Sequence, residues 1–292
     1  MSEINIPMMK KIFVLSLLVI SVQSMAQKII DKAIVKTQTE IVFPENPGGP
    51  GGGPGGPGEG DRVMMGAGMG GLDLSSTIYF KGDMTKIEST SDFGNNITIT
   101  DLKNKKTTTL MEMMGKKIGF YSTDADDKAM KARQDSIRAV KTDSLKQLGI
   151  NIAPPAAPEI VYLNETKKIA GYNCKKAIIK TRNRQGEVNE STVWYCPDFK
   201  MAEGFTMNAG GGMGRAMMGG LNGLDQVNGF PMEYEMQRSN GMKIHMVVTK
   251  LQTDVTIDEK TFDIPKGYDI KPMSEMQGPG GGGRVMIRAG EN

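Results

Sequence analysis

Five short alternating segments, each closed by a turn, constrain this chain more than any other feature. They are Leu74–Phe80, Thr85–Thr90, Ile97–Leu102, Thr107–Met113 and Lys117–Tyr121. The breaks between them are Lys81-Gly82-Asp83, Asp92-Phe93-Gly94-Asn95-Asn96, Lys103-Asn104-Lys105-Lys106 and Gly115. Alternation with a period of two places one set of side chains on each face of a strand. Threonine, isoleucine and tyrosine suit such a pleated surface. Gly, Asn and Asp clusters supply the turns. The pattern predicts an antiparallel meander and a mainly β fold of the α+β class.

Lys28–Phe43 alternates weakly and reads as one strand ahead of the meander. Ile160–Lys200 returns to strands, and Pro231–Gln237 with Met242–Thr253 reads as a hairpin turning at Ser239-Asn240-Gly241. Phe262–Ile270 reads as a last extended segment. One long surface helix is expected over Asp124–Leu148. Acidic Asp124, Asp126 and Asp127 open it, Lys146 lies near its end, and Gly149 supplies a left-handed cap. Ile137, Val140, Leu145 and Leu148 give it a modest apolar stripe. Pro154, Pro155 and Pro158 follow as a stiff connector.

The N-terminus reads as a cleavable signal peptide over residues 1–26. Lys10 and Lys11 precede an apolar stretch, Ile12–Val22, which is too short to span a bilayer comfortably. Ser24 and Ala26 place small residues three and one positions before a cut between Ala26 and Gln27. No cysteine near that cut offers a lipid-anchor site, and no later segment is apolar enough to span a membrane. The expected location is periplasmic or secreted. Residues 27–276 read as a single β domain interrupted by flexible Gly/Met-rich inserts at 44–71 and 203–223. A disordered Gly-rich tail, 277–292, closes the chain.

Cys174 and Cys196 are the only cysteines. Outside the cytoplasm an even pair reads first as a disulfide. Asn173–Thr181 and Asn189–Cys196 form a hairpin around Arg184-Gln185-Gly186. Centring it on Gln185 pairs residues whose numbers sum to 370, so Cys174 faces Cys196 and Lys176 faces Trp194. Such a bridge contributes roughly 3 kcal/mol in the loop-entropy model. Two cysteines without neighbouring histidines make a poor zinc site.

The net charge of +3 is small, and charges of both signs scatter along the strands, which argues against a nucleic-acid partner. Aromatics at 6% also leave little surface for stacking bases. No catalytic constellation is present. His245 is the single histidine and sits in a strand beside Ile244 and Met246, as a half-exposed strand residue. Glu233 and Glu235 share one strand face, as alternating solvent-facing charge does. Gly210–Gly214 lacks the Lys-Ser/Thr of a phosphate loop. No cofactor, catalytic residue or firm metal ligand is expected. Methionine is unusually frequent, at 24 residues. Thioethers select Cu(I), so Met213, Met217 and Met218 stand as candidate copper ligands. They equally offer adaptable apolar surface for a greasy ligand.

Two stretches resemble known families. Residues 165–177, from Glu165 through Ile169-Ala170-Gly171-Tyr172-Asn173-Cys174 to Ala177, precede Trp194-Tyr195 and Gly229-Phe230-Pro231. Together they resemble uncharacterised exported families of Gram-negative envelopes, the GLPGLI-type proteins and a related domain-of-unknown-function family. Phe262-Asp263-Ile264-Pro265-Lys266-Gly267-Tyr268-Asp269 resembles the closing strand of outer-membrane lipoprotein carriers of the LolA/LolB-like class. That resemblance implies a curved antiparallel sheet forming a half-open barrel, helices over its mouth and an apolar cavity. The expectation is a non-enzymatic envelope protein that binds a lipid or other apolar ligand. The alternatives are copper binding through the Met-rich loops, or an interaction module for other envelope components.

Overall fold

The computed structural model of the protein describes residues 27–44, 71–113, 115–147, 156–182, 187–202, 223–238 and 241–276. Within them the chain forms two up-and-down meanders joined edge to edge. The first runs through β2 (Lys32–Val42), β3 (Leu72–Lys81), β4 (Met84–Ser91), β5 (Gly94–Asp101), β6 (Lys106–Met113) and β7 (Lys116–Thr123). The second runs through β8 (Glu159–Ile169), β9 (Tyr172–Arg182), β10 (Val188–Cys196), β12 (Phe230–Gln237) and β13 (Lys243–Thr253). The last strand of the second meander pairs antiparallel with the first strand of the first, from Lys243↔Val42 to Thr253↔Ala33. With β14 (Asp269–Pro272) added parallel to β7, the result is a twelve-stranded sheet, open at β14 and at β8. It is not closed into a barrel. Beside it, β1 (Lys28–Ile30) and β11 (Phe199–Met201) form a small parallel pair.

Alternation explains the sheet strand by strand. In β2, Ala33, Val35, Thr37, Thr39 and Ile41 are buried, while Lys32, Lys36, Gln38 and Glu40 are exposed. Following the pairing outward carries this inner face through Phe80, Ile78 and Ile87 on one side. On the other side it runs through Ile244, Met246, Tyr234 and Val193. These side chains, with Ile30, Phe199, Leu224 and Val227, form the main apolar core. Burying an aliphatic or aromatic side chain contributes about 1.5–3 kcal/mol each.

The expected single strand over Lys28–Phe43 is two, because a bend at Asp31 directs β1 to β11 and β2 into the sheet. The β8–β9 turn is Ala170-Gly171, with φ of 47° and 89°. Positive φ at both central residues matches the twist of the flanking strands, and glycine takes it without strain. Helix α1 (Asp124–Gln147) starts at a reciprocal cap. The Thr123 backbone N–H donates to Asp126 Oδ2 at 2.8 Å, and the Asp126 N–H donates back to Thr123 Oγ1 at 3.4 Å. Ile137 and Val140, two residues of its apolar stripe, are exposed.

The C-terminal segment departs from expectation. Phe262–Ile270 is not one extended run: a 3-10 turn spans Glu259–Phe262, capped by the Asp258 side chain accepting from the Lys260 N–H, and the strand begins only at Asp269. Between them the chain crosses to the far side of β7, with the 3-10 turn resting against β4. Ile99 and Leu110, which alternation places on the outer face, are buried there, as are Ile257 and Phe262. Leu110 and Ile270 meet over Gly119, where an added Cβ would lie 2.7 Å from Leu110 Cδ2 and 3.0 Å from Ile270 Cγ1. Gly119→Ala is therefore expected to lower the unfolding free energy by roughly 1–3 kcal/mol through overpacking. Urea denaturation checks this, and an unchanged midpoint would show that the crossing segment is loosely held.

Candidate functional site

Two groups of reactive side chains lie on the second meander. The first is the cysteine pair. β9 and β10 pair from Val188↔Arg182 to Tyr195↔Lys175, a register in which paired numbers sum to 370. Trp194 faces Lys176 as the hairpin arithmetic requires; the paired register ends at Tyr195↔Lys175, one position short of the two cysteines, and Cys196 is near enough to act on the Cys174 thiol. The loop centre, Arg184-Gln185-Gly186, lies outside the described residues. Both cysteines stand as thiols and both are fully buried. Burial first, then the neighbouring Cys196, pushes the Cys174 thiol up to about 12. Burial raises Cys196 as well. Almost no thiolate exists at neutral pH, so neither residue suits nucleophilic or redox-relay chemistry.

The second group forms around Glu233. On β12, the backbone shifts register against β10: Trp194 faces Glu233, but Tyr195 faces Pro231. The bulge accommodates a proline that cannot donate to a ladder. The five residues Phe230–Tyr234 are all buried. Glu233 was expected to face solvent with Glu235; it is only 5% exposed. A buried carboxylate needs partners. Lys167 Nζ of β8 donates to Glu233 Oε2 at 2.6 Å, and His245 Nε2 of β13 lies 3.1 Å from Glu233 Oε1. Glu235 faces His245 across the β12–β13 ladder, with its Oε1 3.8 Å from Nε2. The Lys167 and Lys176 ammonium groups lie 5.4 and 5.7 Å from the centre of the Trp194 ring. Lys176 is held in turn by Glu165 at 3.0 Å.

This arrangement joins five strands, four through titratable side chains and β10 through the Trp194 ring. The sequence showed the two carboxylates on one face and the histidine in a strand, and the structure bears both out. It did not show that they meet, since that depends on the β12–β13 register. Glu233, Glu235 and His245 are the described His, Cys, Asp and Glu side chains whose donor atoms converge, all within 4.8 Å of one another. Met213, Met217 and Met218, Ala26 and the insert glycines 210–214 lie outside the described residues. Gln27 is described, and its side-chain amide donates to the carbonyls of Pro197 and Asn228 at 2.9 and 3.1 Å.

A third region is the inner face of β5–β7. Its rows are Asn96, Met111 and Ile118, then Thr98, Thr109 and Phe120. Met111, Ile118 and Phe120 are half-buried, unlike the closed core at β2 and β13. On the same face, Thr85 is 1% exposed and its hydroxyl has no hydrogen-bond partner among the described residues.

The architecture is that of an open antiparallel sheet of the mainly β class. Residues 159–268 match the model of a family described as a domain of unknown function, DUF4412. The matched stretch runs from β8 to the turn before β14 and holds the cysteine pair and the whole Glu233 group. It agrees with the resemblance to a domain-of-unknown-function family; the GLPGLI part of that resemblance stays an expectation. No curated protein matches the chain. Among solved structures, PNGF-II is similar at 16% identity and a TM-score of 0.34, over 82% of this chain and 31% of that one. The chain thus spans about a third of PNGF-II. A putative outer membrane lipoprotein-sorting protein domain from Vibrio parahaemolyticus is similar at 7% identity and a TM-score of 0.29, covering 80% of this chain and 89% of that one. A beta-barrel-like protein of domain of unknown function DUF1849 from Brucella abortus shows 9% identity and a TM-score of 0.31, over 79% of this chain and all of that one. Scores this low are statements of likeness alone.

Proposed function

We propose that the protein is an exported, non-enzymatic envelope protein that binds a lipid or similar apolar ligand against the inner face of its open sheet. The observation that carries this reading is the gradient of burial along that face. At β2, β3 and β13 the apolar side chains are closed off. At β6 and β7 the same face presents Met111, Ile118 and Phe120 half-buried, next to the buried threonines Thr98 and Thr109. Apolar side chains beside a few hydroxyls suit an acyl chain with a polar end. Methionine adapts its shape to such a ligand. The thiols are masked by burial, and His245 is tied to Glu233, which supports a binding role over a catalytic one. Export rests on the N-terminal pattern at residues 1–26. Among the described residues no helix is long and apolar enough to cross a membrane.

The test is titration of delipidated protein with a fluorescent long-chain fatty acid, followed by displacement with phospholipid. Saturable, displaceable binding is expected, and Ile118→Lys is expected to weaken it at least tenfold while leaving the far-UV spectrum unchanged. Absence of saturable binding, or equal binding by Ile118→Lys, overturns the proposal.

A further inference from the structure

We infer that Glu233, Glu235 and His245 form a binding site for a divalent transition-metal ion of the zinc class, on the sheet face opposite the proposed lipid surface. The sites are separated by alternation: Glu233 and Glu235 point away from the face that carries Met232, Tyr234 and Met246. The inference therefore stands apart from the lipid reading.

The geometry suits three donors to one ion. A zinc ion binds imidazole nitrogen and carboxylate oxygen at about 2.0–2.2 Å, so ligand atoms around it sit roughly 3.3–3.6 Å apart in a tetrahedron. His245 Nε2 stands 3.1 Å from one Glu233 oxygen and 3.8 Å from one Glu235 oxygen. Those separations bracket the ideal. The widest separation in the group, within 4.8 Å, closes by a rotation of Glu235, whose side chain is 61% exposed and free to turn. Two of the ligands are two residues apart on β12 and the third lies opposite on β13, so backbone pairing holds the set on a rigid surface. One nitrogen and two carboxylates suit zinc and its neighbours better than Cu(I), which prefers sulfur, or Ca²⁺, which takes six to eight oxygens. The face is half open at His245 and Glu235, so a fourth position remains for water.

Lys167 sets the strength. It occupies Glu233 Oε2 and cancels one of the two carboxylate charges, leaving Oε1 for the ion. Removing its charge makes the site more anionic. Lys167→Met is therefore expected to bind zinc more tightly, and His245→Gln to lose it.

Trp194 is the only tryptophan of the chain and faces Glu233 in the ladder, so its emission reports on the site. The experiment titrates Zn²⁺ into the purified chain, reading Trp194 fluorescence and stoichiometry by calorimetry, with Mg²⁺ as control. One Zn²⁺ per chain is expected, with no response to Mg²⁺ and at least a tenfold loss of affinity in His245→Gln. Glu235→Gln, at an exposed position, is expected to show the same loss if His245→Gln fails to fold. No zinc binding by the wild type, or binding unchanged in the folded variants, overturns the inference.

Discussion

Phe230→Ala is expected to cost roughly 3–5 kcal/mol of stability, the range for emptying a fully buried phenylalanine site. Phe230 is 0% exposed and belongs to the main core. Its position is fixed by the residue before it. A Cβ at Gly229 would lie 2.6 Å from the Cys196 carbonyl oxygen and 2.5 Å from Tyr195 Cδ2, so only glycine lets the chain pass the end of β10 this closely. Pro231 then takes the bulge, and Met232 joins Phe230 inside. Guanidinium denaturation reads the loss directly. Phe93→Ala is the control: Phe93 is 42% exposed in a turn, and its change is expected to stay within about 0.5 kcal/mol. A Phe230 variant no less stable than the Phe93 variant would mean that the core around the Gly229-Phe230-Pro231 turn is misplaced.

The second large effect concerns the cysteine pair. We propose that outside the cytoplasm Cys174 and Cys196 join as a bridge while the chain folds, before burial masks their thiols, passing two electrons and two protons to a disulfide oxidant of that compartment. Continuing the β9–β10 register one step past Tyr195↔Lys175 sets the two cysteines opposite each other, the arrangement a bridge needs. Closing this loop is expected to stabilise the fold by about 3 kcal/mol over the reduced protein. Burial also protects the bridge from reductant, so the difference should appear only when reduction is carried out under denaturing conditions and the protein is then refolded. Equal stability of the oxidised and reduced forms, with an oxidised mass confirmed, would remove the bridge from the account of stability.

The meander was legible because three signals agree there: alternation, β-branched residues and turn residues at each break. The cysteine hairpin was legible for a different reason. A single loop centre sets every pair in a hairpin, and the register from Val188↔Arg182 to Tyr195↔Lys175 follows from Gln185. Non-local features were not legible. The pairing of β13 with β2 joins residues about two hundred positions apart, and no local pattern encodes it. Glu233 reads as a surface residue because alternation continues through it in the sequence. In the fold, Lys167, Trp194 and His245 from three other strands gather over it. Residues 262–270 read as one extended segment because Phe262, Ile264 and Ile270 are separated by even numbers of residues, as on one face of a strand. In the fold, Phe262 and Ile270 pack at different places, while Ile264 is 43% exposed.

The central claim, that this is an exported carrier of an apolar ligand, is tested most directly by native mass spectrometry of the protein taken gently from the envelope of the cells that make it. The account predicts a chain beginning at Gln27, two daltons lighter than its fully reduced mass, carrying a lipid-sized adduct that disappears on delipidation. A chain that retains residues 1–26 and arrives bare, with both thiols intact, would contradict it.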